Sequence, residues 1–134
     1  GTQLQEMYIT PSLLTAANWD TIAECAKWSR SNADTLVDTH WIGGDPQRLE
    51  PYGWASWSPE KGIVTLRNAS DKPQSIGIDI EQAFELPPGA PSSFSAHSPW
   101  AQFRGAPPVQ FRAGQEQKIK LQPFEVLTLE MNAV

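Results

Sequence analysis

The stretch Gln74-Ser75-Ile76-Gly77-Ile78-Asp79-Ile80 sets Ile76, Ile78 and Ile80 on every second position, separated by Gly77 and Asp79. A strand points successive side chains to opposite faces, so this alternation predicts a strand buried on one face and wet on the other. Working outward, the same period returns on both sides. Ile63 to Arg67 is a β-branched run ending at Asn68, and the turn Asp71-Lys72-Pro73 separates it from the isoleucines. Trp54 and Trp57 flank Ala55 and Ser56, ahead of the turn-forming Ser58-Pro59-Glu60-Lys61-Gly62. Downstream, Val109–Arg112 is a further strand candidate. Ile119 and Leu121 alternate with Lys118 and Lys120, and Leu127, Leu129 and Met131 share one face of a final strand. The proline-rich interval 86–108 is irregular, with short edge strands expected around Phe94 and Phe103. No helical pattern separates the later strands, which excludes an alternating βαβ order. The expectation is a mainly β protein, an antiparallel β-sandwich preceded by an N-terminal helical segment. Ile76, Ile78, Leu66, Leu127 and Leu129 are expected in its core.

The helical segment lies before residue 50. Thr15 is a candidate N-cap with Asn18 at the third helical position. Trp19, Ile22, Ala23 and Ala26 recur at helical spacing, and Leu36 and Val37 fall on a drifting version of that face. Ser29, Ser31 and Asn32 weaken the middle, so the helix stops there or continues to about Asp38. Thr10-Pro11 reads as the start of a short turn through Leu14. The single cysteine, Cys25, cannot form an internal disulfide or a cysteine-based metal site, and its alanine neighbours predict burial and slow thiol chemistry. Gly43, Gly44 and Asp45-Pro46 mark the loop before the strands. The chain thus divides into a helical segment, 1–50, and a β domain, 51–134.

Composition bounds the function. The chain has 134 residues, enough for one core, with 40% hydrophobic and 19% charged residues, and Pro 12 and Gly 9 favour many short elements. A net charge of -5 leaves no basic footprint for nucleic acid, and the Lys118 and Lys120 pair, close to Glu116, reads as a solvated strand face. No stretch has the apolar length to cross a bilayer, and no signal-peptide pattern opens the chain. The chain does not begin with Met, as expected of a processed chain or a fragment.

Catalytic patterns are missing from the sequence. His40 and His97 lie in no metal-binding motif; Asp38 and His40 could share a strand face, but no third ligand stands near them. Ser56 and Ser98 lack the setting of a nucleophile elbow. Gly43-Gly44-Asp45 is no phosphate loop. Most of the 15 acidic residues fall in turns or on solvent faces, among them Glu60, Asp71, Asp79, Glu125 and Glu130. A glycosidase needs two carboxyl groups at a set separation, and no such pair is marked. The reading is no catalytic residue, no metal site and no cofactor.

The aromatic residues are more informative. Tyr52, Trp54, Trp57 and Trp100 are the candidates for stacking on the apolar face of a sugar ring. Tyr52 and Trp54, two apart, face the same side of a strand. The competing role for that side is to pack the helix against the sheet, or to meet a neighbouring domain.

Three segments carry a family resemblance: Trp41-Ile42-Gly43-Gly44-Asp45-Pro46, Tyr52-Gly53-Trp54-Ala55-Ser56-Trp57-Ser58, and Gly62-Ile63-Val64-Thr65-Leu66-Arg67-Asn68-Ala69-Ser70. Together with the closing Pro123-Phe124-Glu125-Val126-Leu127-Thr128-Leu129, this resembles the C-terminal region of bacterial glycoside-hydrolase-like proteins of the α-galactosidase type. The resemblance implies a β-sandwich behind a catalytic (β/α)8 barrel, with residues before 40 as the barrel's tail and last helix. It places the catalytic carboxylates upstream, so none is carried over onto this sequence. It implies a non-catalytic accessory domain whose partner is the upstream catalytic domain of the same polypeptide; the compartment stays open, with a bacterial periplasm and the cell exterior among the alternatives. An independent carbohydrate-binding module and a generic protein-interaction domain stay open as alternatives. The truncated helix face is expected to be exposed or to mediate self-association.

Overall fold

The computed structural model describes residues 8–59 and 61–134 and is mainly β, as expected. Its elements are α1 (Ala16–Ser31), α2 (Ala33–Leu36), β1 (Thr39–Gly43), β2 (Tyr52–Trp57), β3 (Gly62–Arg67), β4 (Gln74–Ile78), α3 (Ile80–Ala83), β5 (Ser93–His97), β6 (Val109–Arg112), β7 (Gln117–Leu121) and β8 (Val126–Ala133). Six strands form one sheet in the order β1-β2-β3-β8-β5-β6; β4 and β7 form a second. Every pairing is antiparallel.

The core lies between the two sheets. Val64 and Leu66 of β3, Phe94 and Ala96 of β5, and Leu129 and Met131 of β8 meet Ile76 and Ile78 of β4 and Ile119 and Leu121 of β7. Fully burying an aliphatic or aromatic side chain of this size contributes about 1.5–3 kcal/mol, which makes this layer the main stabilising element. Four of the five expected core residues, Leu66, Ile76, Ile78 and Leu129, are buried, and Leu127 is half-buried at the layer's margin. Gly62 is required where the Phe84 ring lies over β3: an added Cβ would sit 2.5 Å from that ring. Gly43 ends β1 with φ +89°, a backbone conformation that side chains with a Cβ resist.

Four expectations change in the structure. Ile80 is fully buried, but it opens the helical turn α3 instead of continuing the strand. Asp79 caps that turn: its Oδ1 accepts from Glu81 N and from Gly114 N, both at 3.0 Å. The 1–50 stretch is helical only as far as Leu36, because β1 already pairs along its length with β2. Phe103 lies in a 3-10 turn, Ala101–Phe103, and is not in a strand, whereas Phe94 is in β5. Cys25 is exposed and not buried, because α1 lies on the surface and buries no residue fully.

Helix α1 begins as the sequence predicts. Thr15 Oγ1 accepts from Asn18 N at 3.3 Å, and Thr15 N donates to Asn18 Oδ1 at 2.9 Å, closing a capping box. It ends at Asn32, whose N–H and side-chain amide both bond Trp28 O. The helix meets the sheet mainly through Trp28, whose indole N–H donates to Glu130 and whose ring lies 5.2 Å from Trp100. Trp19, on the helix face expected to be exposed or to self-associate, is 40% exposed.

Candidate binding site

The outer face of the six-stranded sheet is built by strand alternation. In β2, Ala55 and Trp57 point to the core, so Tyr52, Trp54 and Ser56 point away from it. Register aligns Trp41 with Trp54, Trp54 with Thr65, and Thr65 with Thr128 in one row across four strands. A second row runs Tyr52, Arg67, Val126. A third runs Thr39, Ser56, Ile63, Glu130.

The helices close over the third row. Thr39 and Ser56 hydroxyls lie 2.7 Å apart, Thr35 and Ser58 hydroxyls 3.0 Å apart, and Ser56 and Ile63 are both 2% exposed. Lys61 Nζ lies 3.8 Å from Glu130 Oε2, on the carboxylate that Trp28 holds.

The other two rows carry an aromatic cluster. The Trp41 and Tyr52 rings are stacked, with centroids 4.9 Å apart and planes 7° apart. Trp54 stands edge-on to both, 5.5 Å from each, at 82° to Trp41 and 75° to Tyr52. Tyr52 is nearly covered, whereas Trp41 is 51% and Trp54 37% exposed. Ring pairs in offset and edge-to-face arrangements attract one another beyond their buried area, so the three hold each other in place.

The structure therefore brings Tyr52 and Trp54 together and sends the other two candidates elsewhere. Trp57 packs against the core on the opposite face of β2, and Trp100 packs against Trp28. Trp41 is the member that reading along the chain did not group with them. The Gly43-Gly44 loop was the available signal, because a hairpin there pairs Trp41 with Trp54.

A cavity of about 260 Å³ opens beside Trp41, between the β1 edge and β4. Gly43, Gly77, Asp79 and Gln82 help to line it. With one Asp79 oxygen engaged by two backbone amides, the carboxylate is held in a fixed orientation at that wall.

His40 sits between two carboxylates, with Nε2 3.4 Å from Asp38 and Nδ1 3.3 Å from Glu85. The two acids address opposite nitrogens of the ring, so they do not converge with it on one ion. Among the described residues, no group of three or more His, Cys, Asp or Glu side chains has metal-binding geometry.

No family model matches the chain, and no curated protein matches it. Among solved structures, a protein described as an α-N-acetylgalactosaminidase from Bacillus halodurans C-125 is similar to it in fold, with TM-score 0.53 and 12% identity. The match covers 72% of this chain and 21% of that one. A MutB variant crystallised with glucose matches at 17% identity and TM-score 0.37, over 74% of this chain and 15% of its own. The chain thus spans about a fifth or less of the solved proteins it matches. The class these observations define is an antiparallel β fold that also occurs as one part of a larger protein of the glycoside-hydrolase kind. At these identities the likeness is one of fold.

Proposed function

We propose that the chain is a non-catalytic accessory β-sandwich, and that it supports a glycoside-hydrolase-type catalytic domain in the same polypeptide by packing α1 against it. The observation that carries this reading is α1 itself. It is a 16-residue helix with a closed capping box and no fully buried residue. Isolated helices of this length are marginal in water, and most helical stability in proteins comes from packing an apolar face. Here Trp28 supplies most of the anchor on the sheet side. Leu13 and Trp19 remain exposed, and Ile22 and Ala26 only half-covered. An upstream domain resting on that side would complete the packing. The fold likeness is consistent with an accessory part, since in that neighbour the matched part is 21% of a longer chain.

Hydrogen exchange on the longest polypeptide encoded with this chain tests it. The α1 amides are expected to be protected there and to exchange much faster in the isolated 134-residue chain. Trp19→Glu should lower the melting temperature of the long form and leave that of the isolated chain nearly unchanged. Equal exchange in both forms would overturn the proposal. So would protection that rises only with protein concentration, because that would assign the face to a second copy.

A further inference from the structure

We propose that Trp41, Trp54 and the cavity beside Trp41 form a binding site for a pyranose sugar ring. This goes beyond the accessory role, because the site uses only residues of this chain and centres on Trp41 and Trp54, which stay exposed.

Three features converge on a sugar. The first is a rigid flat surface. Tyr52 backs Trp41 at 4.9 Å in a near-parallel stack, so one face of the Trp41 indole is covered and the ring is still 51% exposed. Trp54 at 82° forms a wall at its side. A ligand lying on Trp41 meets a surface whose rotamers are already restricted, and preorganised rings bind at low entropic cost.

The second feature is a polar margin. Asp79 and Gln82 line the cavity beside Trp41, together with Gly43 and Gly77 on the two strand edges. Asp79 Oδ1 accepts from Glu81 N and Gly114 N, which fixes the orientation of the carboxylate. On the other side of Trp54 stands Thr65, with Arg67 one row further along the same face. A pyranose has C–H groups across a face and hydroxyls around its rim. Its face suits the indole, and its rim suits a carboxylate that accepts and an amide that both donates and accepts.

The third feature separates a sugar from other flat ligands. An acidic chain with Asp79 at the site repels a phosphate-bearing nucleotide. A purely apolar ligand would leave Asp79 and Gln82 desolvated and unpaired, which is costly.

The test uses the isolated chain titrated with galactose, glucose, N-acetylgalactosamine and cellotetraose, followed by tryptophan fluorescence and calorimetry. At least one of them is expected to bind saturably. Trp41→Ala should weaken that binding about tenfold or more, the loss typical of truncating an aromatic anchor. Trp41→Phe should recover part of it, and Trp19→Ala, on the helix, should leave it unchanged. Gln82→Ala alters an exposed side chain on the cavity wall, and it should weaken binding even if Trp41→Ala disturbs the sheet. The proposal is overturned if none of the four sugars binds. It is also overturned if Trp41→Ala and Gln82→Ala bind like the parent chain, or if Trp19→Ala causes the same loss. Because no upstream domain is needed, failure here leaves the docking of α1 standing, and failure of that docking leaves this site standing.

Discussion

Asn68 shows how one side chain can join distant turns. It is fully buried, and its amide nitrogen donates to Lys72 O and Gln122 O, both at 2.8 Å, while its Oδ1 accepts from Ser70 N at 3.0 Å. The turn after β3 is thereby tied to the turn between β7 and β8. Asn68→Ala removes the donors and leaves two carbonyls unmatched, so a loss of about 2–3 kcal/mol is expected in urea unfolding. Asn68→Asp should cost at least as much, because a carboxylate offers no donor to either carbonyl. A change below the error of the extrapolation would show that water replaces these bonds. Cys25 makes a different point about single residues. Its thiol is exposed, yet partial desolvation, followed by the neighbouring Glu24 carboxylate, raises its pKa above the ordinary thiol value. The thiolate is the reactive form, so a raised pKa lowers its fraction at neutral pH. Iodoacetamide should therefore label the folded chain fully but more slowly than a free cysteine at pH 7, with a rate that climbs as pH passes the ordinary thiol value. Labelling that requires unfolding, or a rate indifferent to pH, would contradict this. Slow labelling is the outcome expected from the sequence as well, but here it is argued from the raised pKa of an exposed thiol and not from full burial.

Among the elements, α1 and β1 depend most on their neighbours. Trp28 joins α1 to the sheet through both its ring and its N–H. Trp28→Ala is expected to free the helix while the sandwich stays folded: α1 amides lose their protection in hydrogen exchange, and the sheet signal in circular dichroism persists. Trp28→Phe keeps the contact with Trp100 but removes the donor, leaving Glu130 to Lys61 at 3.8 Å, so an intermediate protection is expected. Loss of the sheet in Trp28→Ala would mean that the helix is part of the cooperative core. Strand β1 belongs with the sandwich, since it pairs with β2 from Thr39↔Ser56 to Gly43↔Tyr52. Its sequence, Thr39-His40-Trp41-Ile42-Gly43, follows directly on the helical run and has no turn of its own composition before it. Periodicity over five residues beside a helix is too short to declare a strand, and the pairing partner decides it.

For the molecule as a whole, the distribution of acids bears on catalysis. Among the described residues, five cavities are each lined by one acidic side chain: Asp79, Glu116, Glu125, Asp34 and Glu81 in turn. Glycoside hydrolysis calls for two carboxyl groups across one scissile bond. Purified chain is expected to release no nitrophenol from aryl α- or β-glycosides above the buffer rate at any pH. Turnover that Asp79→Asn or Glu125→Gln abolishes would overturn the accessory reading.

Local chemistry made much of this protein legible in its sequence. The capping box at Thr15, the strands around Leu66, Ile76 and Leu129, and the turns between them follow from spacing and turn residues within a few positions of one another. An alternating apolar run has one way to hide its face, so the antiparallel sandwich could be read before any contact was known. Long-range register decided the rest. Ile80 continues the alternation on paper, but Asp79 caps a helical turn there because Gly114, 35 residues away, shares its carboxylate. Trp57 and Trp54 look alike in sequence, and strand parity sends one to the core and the other to the aromatic cluster. Trp41 and Trp28 gain their roles only when Trp54, Glu130 and Trp100 arrive beside them. Burial follows the same rule: Cys25 and Trp19 lie on an amphipathic pattern, but a pattern states only which side of a helix is apolar. Whether that side is covered depends on a second surface, and the tertiary structure alone shows that on α1 most of it is left open.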